Sequence, residues 1–182
     1  MESSISEEER IQRIVSGKPE EFRWIVQKYN EKVATICYGM LQDHEEAVEM
    51  GQTIFIKLFE ALPTFKFNST LETYLTRIAI NQCLNRSKQR QKEWKQQVET
   101  TELDFIANGS DAYKELENRE LTQLALQYLE PKQRSMVVLR MMEGYSIKET
   151  AIILDVAEGT VMSGVSRGLQ KMKNYLKKLG HG

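Results

Sequence analysis

At four candidate helix starts along the chain a Ser or Asp is followed three residues later by Glu. The pairs are Ser6 and Glu9, Asp43 and Glu46, Ser69 and Glu72, and Ser146 and Glu149, each leading into an apolar run at helical spacing. Such a pair marks a helix start, because the first side chain accepts from an orphan backbone N–H and the Glu reaches back to the capping residue. Ile11, Ile14 and Val15 follow the first pair, before Gly17 and Pro19 interrupt. From Glu20, the positions Phe22, Ile25, Val26, Tyr29, Val33, Ile36, Cys37 and Met40 advance by three or four, one long amphipathic helix. Ala47, Met50, Ile54, Leu58 and Leu62 form the stripe of the next, which Pro63 ends. The third pair opens a helix with Leu71, Leu75, Ile78, Ala79 and Leu84 inward, and its end turns polar and basic. The expected fold is all-α.

At 182 residues the chain has room for one domain or two small ones, and 41% hydrophobic with 28% charged residues excludes a wholly disordered chain. Residues 99–112 lack periodicity and contain the turn cluster Asn108-Gly109-Ser110-Asp111, after which Leu116, Leu121, Leu124, Ala125 and Leu129 resume it. We therefore expect two small helical domains, 1–97 and 113–182, joined by an acidic linker over 98–112. Each alone would have a marginal core.

The net charge of -1 conceals a segregation. Residues 1–60 carry a balance of -5, 61–98 of +5, 99–130 of -6 and 131–182 of +5. Two basic blocks around an acidic one indicate two surfaces for a polyanion, although a single charge run is ordinarily just a solvated helix face.

Catalysis has little support. The histidines are His44 and His181, and no Gly-rich phosphate loop follows a strand pattern. His44, between Asp43 and Glu45, reads as a solvated helix start rather than a metal ligand. Cys37 and Cys83 lie too far apart in sequence for a C-x-x-C pair and read as buried thiols. No cofactor or metal is expected. The start, MESSISEEER, lacks the basic and apolar regions of a signal peptide, and no apolar run reaches membrane-spanning length, so a cytoplasmic protein without membrane insertion is expected.

The last third carries the sharpest pattern. Pro131 stands at a favoured first helical position, an apolar face continues to Gly144, and the Ser146 box opens a short helix. The turn Asp155-Val156-Ala157-Glu158 leads into a helix with Val161, Val165, Leu169, Met172, Leu176 and Leu179 as its inward stripe. Its other face presents Thr160, Ser163, Ser166, Arg167, Gln170 and Lys171. A helix of this kind fits a DNA major groove, where short polar side chains and Arg contact base edges or phosphates and Lys neutralises phosphates. An ordinary helical hairpin satisfies the pattern more loosely.

The segment from Tyr128 to Leu176 resembles region four of bacterial RNA polymerase sigma factors, and that from Phe22 to Arg90 resembles region two. Two regions alone, in this order, resemble the extracytoplasmic-function (ECF) group of the sigma-70 family. The resemblance implies a dissociable polymerase subunit that binds core RNA polymerase and promoter DNA, the first domain at the minus-ten element and the second at minus-thirty-five. It also admits an anti-sigma protein as a partner. The family's core-binding pattern is matched by Glu49, Gln52 and Phe55 beside Met50, while Val48 and Thr53 replace acids. Phe65-Lys66-Phe67-Asn68 occupies the specificity loop, and Tyr74, Arg77 and Asn81 match the strand-opening motif, with Tyr74 in place of tryptophan. For Phe65 and Phe67, burial and base contact are equally open.

Asn85 replaces an aspartate, and Arg86, Lys88, Arg90, Lys92 and Lys95 supply the basic stripe the resemblance places on duplex DNA. In the recognition helix Met162 and Gly164 replace two expected cations, which should weaken phosphate contact, and Gly164 and Gly168 each cost about 1 kcal/mol of helix propensity. In the acidic linker Glu99, Glu102, Asp104 and Asp111 suit either a polymerase channel or a plain soluble tether. Two other readings compete: a helix-turn-helix regulator binding operator DNA as a dimer, and a helical adaptor binding protein only.

Overall fold

The computed structural model describes residues 5–97 and 114–180, all helix and connection, with no strand among them. The helices are α1 (Glu7–Val15), α2 (Phe22–Leu41), α3 (His44–Ala61), α4 (Leu71–Gln97), α5 (Lys114–Gln127), α6 (Pro131–Val137), α7 (Ile147–Leu154) and α8 (Glu158–Lys178). One wide π-helical turn, Val138–Met142, continues α6. The expected linker, with its four named acids, lies outside the described residues, as do the side chains of Lys92 and Lys95. No described helix is long and apolar enough to cross a membrane.

Three of the four expected caps form. Ser6 accepts from the Glu9 amide at 3.1 Å, Asp43 from the Glu46 amide at 2.8 Å, and Ser146 with Glu149 makes both arms of the capping box. The fourth is displaced by one residue. Thr70, not Ser69, accepts from the Thr73 amide at 3.1 Å, and α4 begins at Leu71. Two hydroxyl residues stand side by side there, and burial of Leu71 selects the later start.

The amino-terminal half is built on α2, with α3 and α4 packed along it. Its inward stripe is the expected one: Ile25, Tyr29, Val33, Ile36, Cys37 and Met40 are buried, against Ile54 and Leu58 of α3 and Leu75, Ala79 and Ile80 of α4. Each buried Leu or Ile contributes about 1.5–3 kcal/mol. Both cysteines are free and buried. Hydrogen bonding to Cys37 together with burial pushes the Cys83 thiol far above its ordinary range, which keeps it protonated.

In the carboxy-terminal half α8 packs against α5, α6 and α7. The expected inward stripe of α8 needs correction: Leu169 and Leu179 are exposed, while Gly164 and Gly168 are buried. A Cβ at Gly164 would stand 2.2 Å from Met136 Sδ, and one at Gly168 would stand 2.8 Å from Val137 Cγ2. The glycines let α6 lie against α8, so the contact line runs through them rather than through the branched residues beside them.

The two halves share one hydrophobic cluster. Val138, Leu139, Tyr145 and Ile153 belong to the same contiguous core as the α2 and α4 residues.

Candidate nucleic-acid interface

The short helix α7 is held at its start by the Ser146 and Glu149 box, whose hydrogen bonds from the Ser146 side chain and backbone hold the Glu149 carboxyl below its usual range. It ends where Asp155 takes a left-handed conformation, φ 52°, turning the chain into α8. Asp tolerates that region because its short polar side chain bonds locally. The leading face of α8 is open: Thr160, Met162, Ser163, Ser166, Arg167, Gln170 and Lys171 are all exposed. Arg167 lies back along the helix, donating from Nε to the Ser163 carbonyl at 3.1 Å and from Nη2 to Ser163 Oγ at 3.3 Å. Position 164 faces α6, so the glycine there removes no cation from the open face.

The second element is the turn before α4. Phe65 packs its ring 4.7 Å from Phe67 and 4.9 Å from Tyr74, so the three aromatics form one cluster. Phe65 and Tyr74 are half-buried, whereas Lys66, Phe67 and Asn68 are exposed. Phe67 holds φ at 57°, a region that costs a side chain of this kind about 1–2 kcal/mol. Beside the cluster a pocket of about 390 Å³ is lined by Lys57, Glu60, Tyr74, Ile78 and Asn81. Stacking surface, amide and pocket together suit a base drawn out of its stack.

Arg77 is exposed and donates from Nη2 to the Ile152 carbonyl of α7 at 3.2 Å. Lys88 is also exposed. Arg86 and Arg90 have structural partners that their local spacing did not reveal. Arg86 meets Glu46 at 2.6 Å, and Arg90 meets the other oxygen of Glu46 at 2.9 Å as well as the Leu41 carbonyl. These two cations tie α4 to the start of α3 and the end of α2.

The third element is the outer face of α3. Glu49 and Gln52 lie toward solvent, but Phe55 is buried at 7% exposure and Met50 is half-buried, so Phe55 belongs to the core rather than to a docking surface. Sequence matching missed the apolar residues that are exposed. Val48, Ile56 and Phe59, at 50%, 60% and 40% exposure, follow the same helical spacing as Gln52. A stripe of that kind on a helix already buried on its other side was the available signal.

The sigma-70 region 2 family model matches residues 25–93, containing α3, the aromatic cluster and Arg77, and the sigma-70 region 4 model matches 119–172, containing the leading face of α8. Over 180 residues the chain is 28% identical to the ECF RNA polymerase sigma factor SigW of Bacillus subtilis, covering 93% of this chain and 96% of the relative. The chain belongs to the ECF group of the sigma-70 family. This sigma factor is also 28% identical to the ECF RNA polymerase sigma-E factor of Escherichia coli over 190 residues, 98% of each chain.

Among solved structures, this sigma factor is similar to the sigma factor RpoE of Bartonella quintana in complex with the anti-sigma factor NepR. The TM-score there is 0.71 at 22% identity, covering 87% of this chain and 98% of that one. It is also similar to CnrH in complex with the cytosolic domain of CnrY, with TM-score 0.68 at 18% identity over 93% and 96%. At those identities the likeness is one of fold.

Proposed function

We propose that this sigma factor is a dissociable, non-catalytic subunit of RNA polymerase that acts in the cytoplasm and selects promoters for transcription initiation. Residues 1–97 dock on core enzyme and handle the minus-ten element, 98–112 tether the halves, and 113–182 read the minus-thirty-five element. One observation carries the reading: regions two and four match in order, and the second ends in a helix whose leading face is polar and uncovered.

The chemistry follows from the faces. Along α3, Glu49 and Gln52 flank Val48 and Ile56, a surface suited to a basic, partly apolar partner such as core polymerase. Phe67 and Tyr74 offer stacking surface to an unpaired base, Asn81 an amide to its edge, and Lys66, Arg77 and Lys88 charge to the backbone. In a major groove, Thr160, Ser163 and Ser166 reach base edges or phosphates, Met162 offers an apolar contact to a thymine methyl, and Lys171 neutralises a phosphate. With few cations on that face, the dependence on salt is shallow. An anti-sigma partner is supported by the two similar structures, solved with the anti-sigma factor NepR and with CnrY.

Size-exclusion mass and capture of core polymerase test the reading together. A monomer that retains core enzyme on a column is expected; a stable dimer that binds duplex DNA alone and ignores core enzyme would contradict it.

A further inference from the structure

Where α5 ends against α8, the chain carries a feature that promoter reading does not use. Tyr128, one residue past α5, stacks on Tyr175 of α8 with ring centroids 4.9 Å apart and planes 17° from parallel. Tyr175 is half-buried, whereas Tyr128 is 57% exposed, so the outer face of its ring is open. The pair walls a pocket of about 380 Å³ whose other lining residues are Lys171, Asn174, Lys177 and Lys178. Positions 171, 174, 175 and 178 are linked by steps of three and four, which gathers them on one face of α8.

The lining offers donors and no carboxylate. None of its three lysines has an ion-pair partner among the described residues. The Asn174 carbonyl oxygen accepts from the Gln170 amide at 2.9 Å, which leaves the Asn174 N–H groups for the pocket. Behind Tyr128 the carbonyls of Leu126, Gln127 and Leu129 accept from Arg134, and that cation offsets the negative end of α5.

Three cations, an amide donor and an open aromatic face suit an anion that carries its charge at one end and a flat ring at the other. From this set we propose that the pocket binds a free nucleotide bearing two or three phosphates. Its base stacks on the outer face of Tyr128, and Lys171, Lys177 and Lys178 hold its phosphates. Binding is reversible and no bond changes. Duplex DNA supplies phosphates but keeps its bases inside the stack, out of reach of a tyrosine face. A single strand is held by successive aromatic platforms, and here one ring face is open. Inorganic polyphosphate would leave the tyrosines without a role. The volume lies at the small end of ligand pockets, roughly 300–1,000 Å³, and admits one nucleotide. A purine, with the larger face, should bind better than a pyrimidine.

Calorimetric titration of the full chain at low salt tests the site with ATP, GTP, UTP, adenosine, inorganic tripolyphosphate and a single-stranded deoxyadenosine octamer. ATP and GTP should bind once per chain, with adenosine and tripolyphosphate each at least about tenfold weaker, since each lacks half of the recognition. Tyr128→Ala should weaken ATP by about fivefold or more, while Tyr128→Phe, which keeps the ring, should stay near wild type. The double variant Lys177→Gln with Lys178→Gln should weaken it by about tenfold. Lys171 stays unchanged because it also stands on the face proposed for promoter DNA. Circular dichroism should show helix content unchanged, as Tyr128, Lys177 and Lys178 are exposed. No saturable binding of ATP or GTP, tripolyphosphate as tight as ATP, or Tyr128→Ala at wild-type affinity would each overturn the proposal. An octamer that outcompetes ATP and is weakened by the same variants would assign the pocket to a strand and overturn it as a free-nucleotide site. Should Tyr128→Ala fail to fold, the lysine pair and the comparison of ATP with tripolyphosphate decide the matter.

Discussion

Arg134 and Met40 meet where two helices end. The guanidinium donates to the Met40 carbonyl near the C-terminus of α2 while also closing the last carbonyls of α5, so one cation satisfies helix ends from both halves. Burial, with the charge of Arg90 nearby, lowers its pKa to about 10, and it stays charged at neutral pH. Arg134→Met should lose about 2–4 kcal/mol of stability, because carbonyls of two helices lose their donor, most of them in buried hydrogen bonds. Arg134→Lys should recover only part, since an ammonium cannot reach four acceptors in a plane. Urea unfolding of the three proteins measures the difference.

Glycines in α8 should respond in opposite directions. Gly168→Ala is expected to lose about 1–3 kcal/mol despite its better helix propensity, because the new Cβ meets Val137 at 2.8 Å. Gly159→Ala meets nothing within 4 Å and should be neutral or stabilising by up to about 1 kcal/mol. Equal effects in thermal unfolding would contradict the close α6 and α8 contact.

Phe67 separates a functional reading from a structural one. Its left-handed backbone is one that glycine adopts without strain, so Phe67→Gly should hold or raise stability. Strand opening, followed by permanganate reactivity of unpaired thymines, should nonetheless fall by about fivefold to a hundredfold as the stacking surface goes, a loss of about 1–3 kcal/mol. Retained opening would place base contact elsewhere.

For docking, Ile56→Glu and Glu49→Lys should each reduce core-polymerase capture by about tenfold while leaving the melting temperature near wild type, since both side chains lie outside the core. Phe55→Ala should instead lower stability by about 3–5 kcal/mol, the signature of a core residue. Arg77→Ala should impair promoter opening with core capture intact, and Arg86→Ala should also loosen α4 from α3 through Glu46.

Acid titration addresses the recognition element. Glu149 has its carboxyl lowered from 4.5 by the Ser146 hydrogen bonds, so its contribution is present above that value and is lost as pH falls through the lowered one. Wild type should therefore shed more stability than Glu149→Gln in that acid window, and a side-chain carboxyl titration by NMR should show the depressed midpoint directly.

What the sequence disclosed was local. The Ser146 box, the α2 stripe and the exposed side of α8 all rest on spacings of three or four residues, and those survive folding because helix faces are fixed by the backbone. Thr70 displaced Ser69 as a cap because adjacent hydroxyls offer two registers and only packing of Leu71 separates them. Periodicity alone places Leu169 inward, because it cannot show that two glycines bring α6 close enough to claim the neighbouring line. Pairs such as Arg86 with Glu46, or Arg134 with Met40, join residues remote in sequence, and no short-range pattern encodes them.

Transcription in vitro, with purified core polymerase and a promoter library, addresses promoter selection most directly. Adding this chain should create a discrete set of start sites sharing upstream elements, and Arg77→Ala should diminish them. Start sites unchanged from core enzyme alone, with the added chain folded and present in excess, would contradict the account.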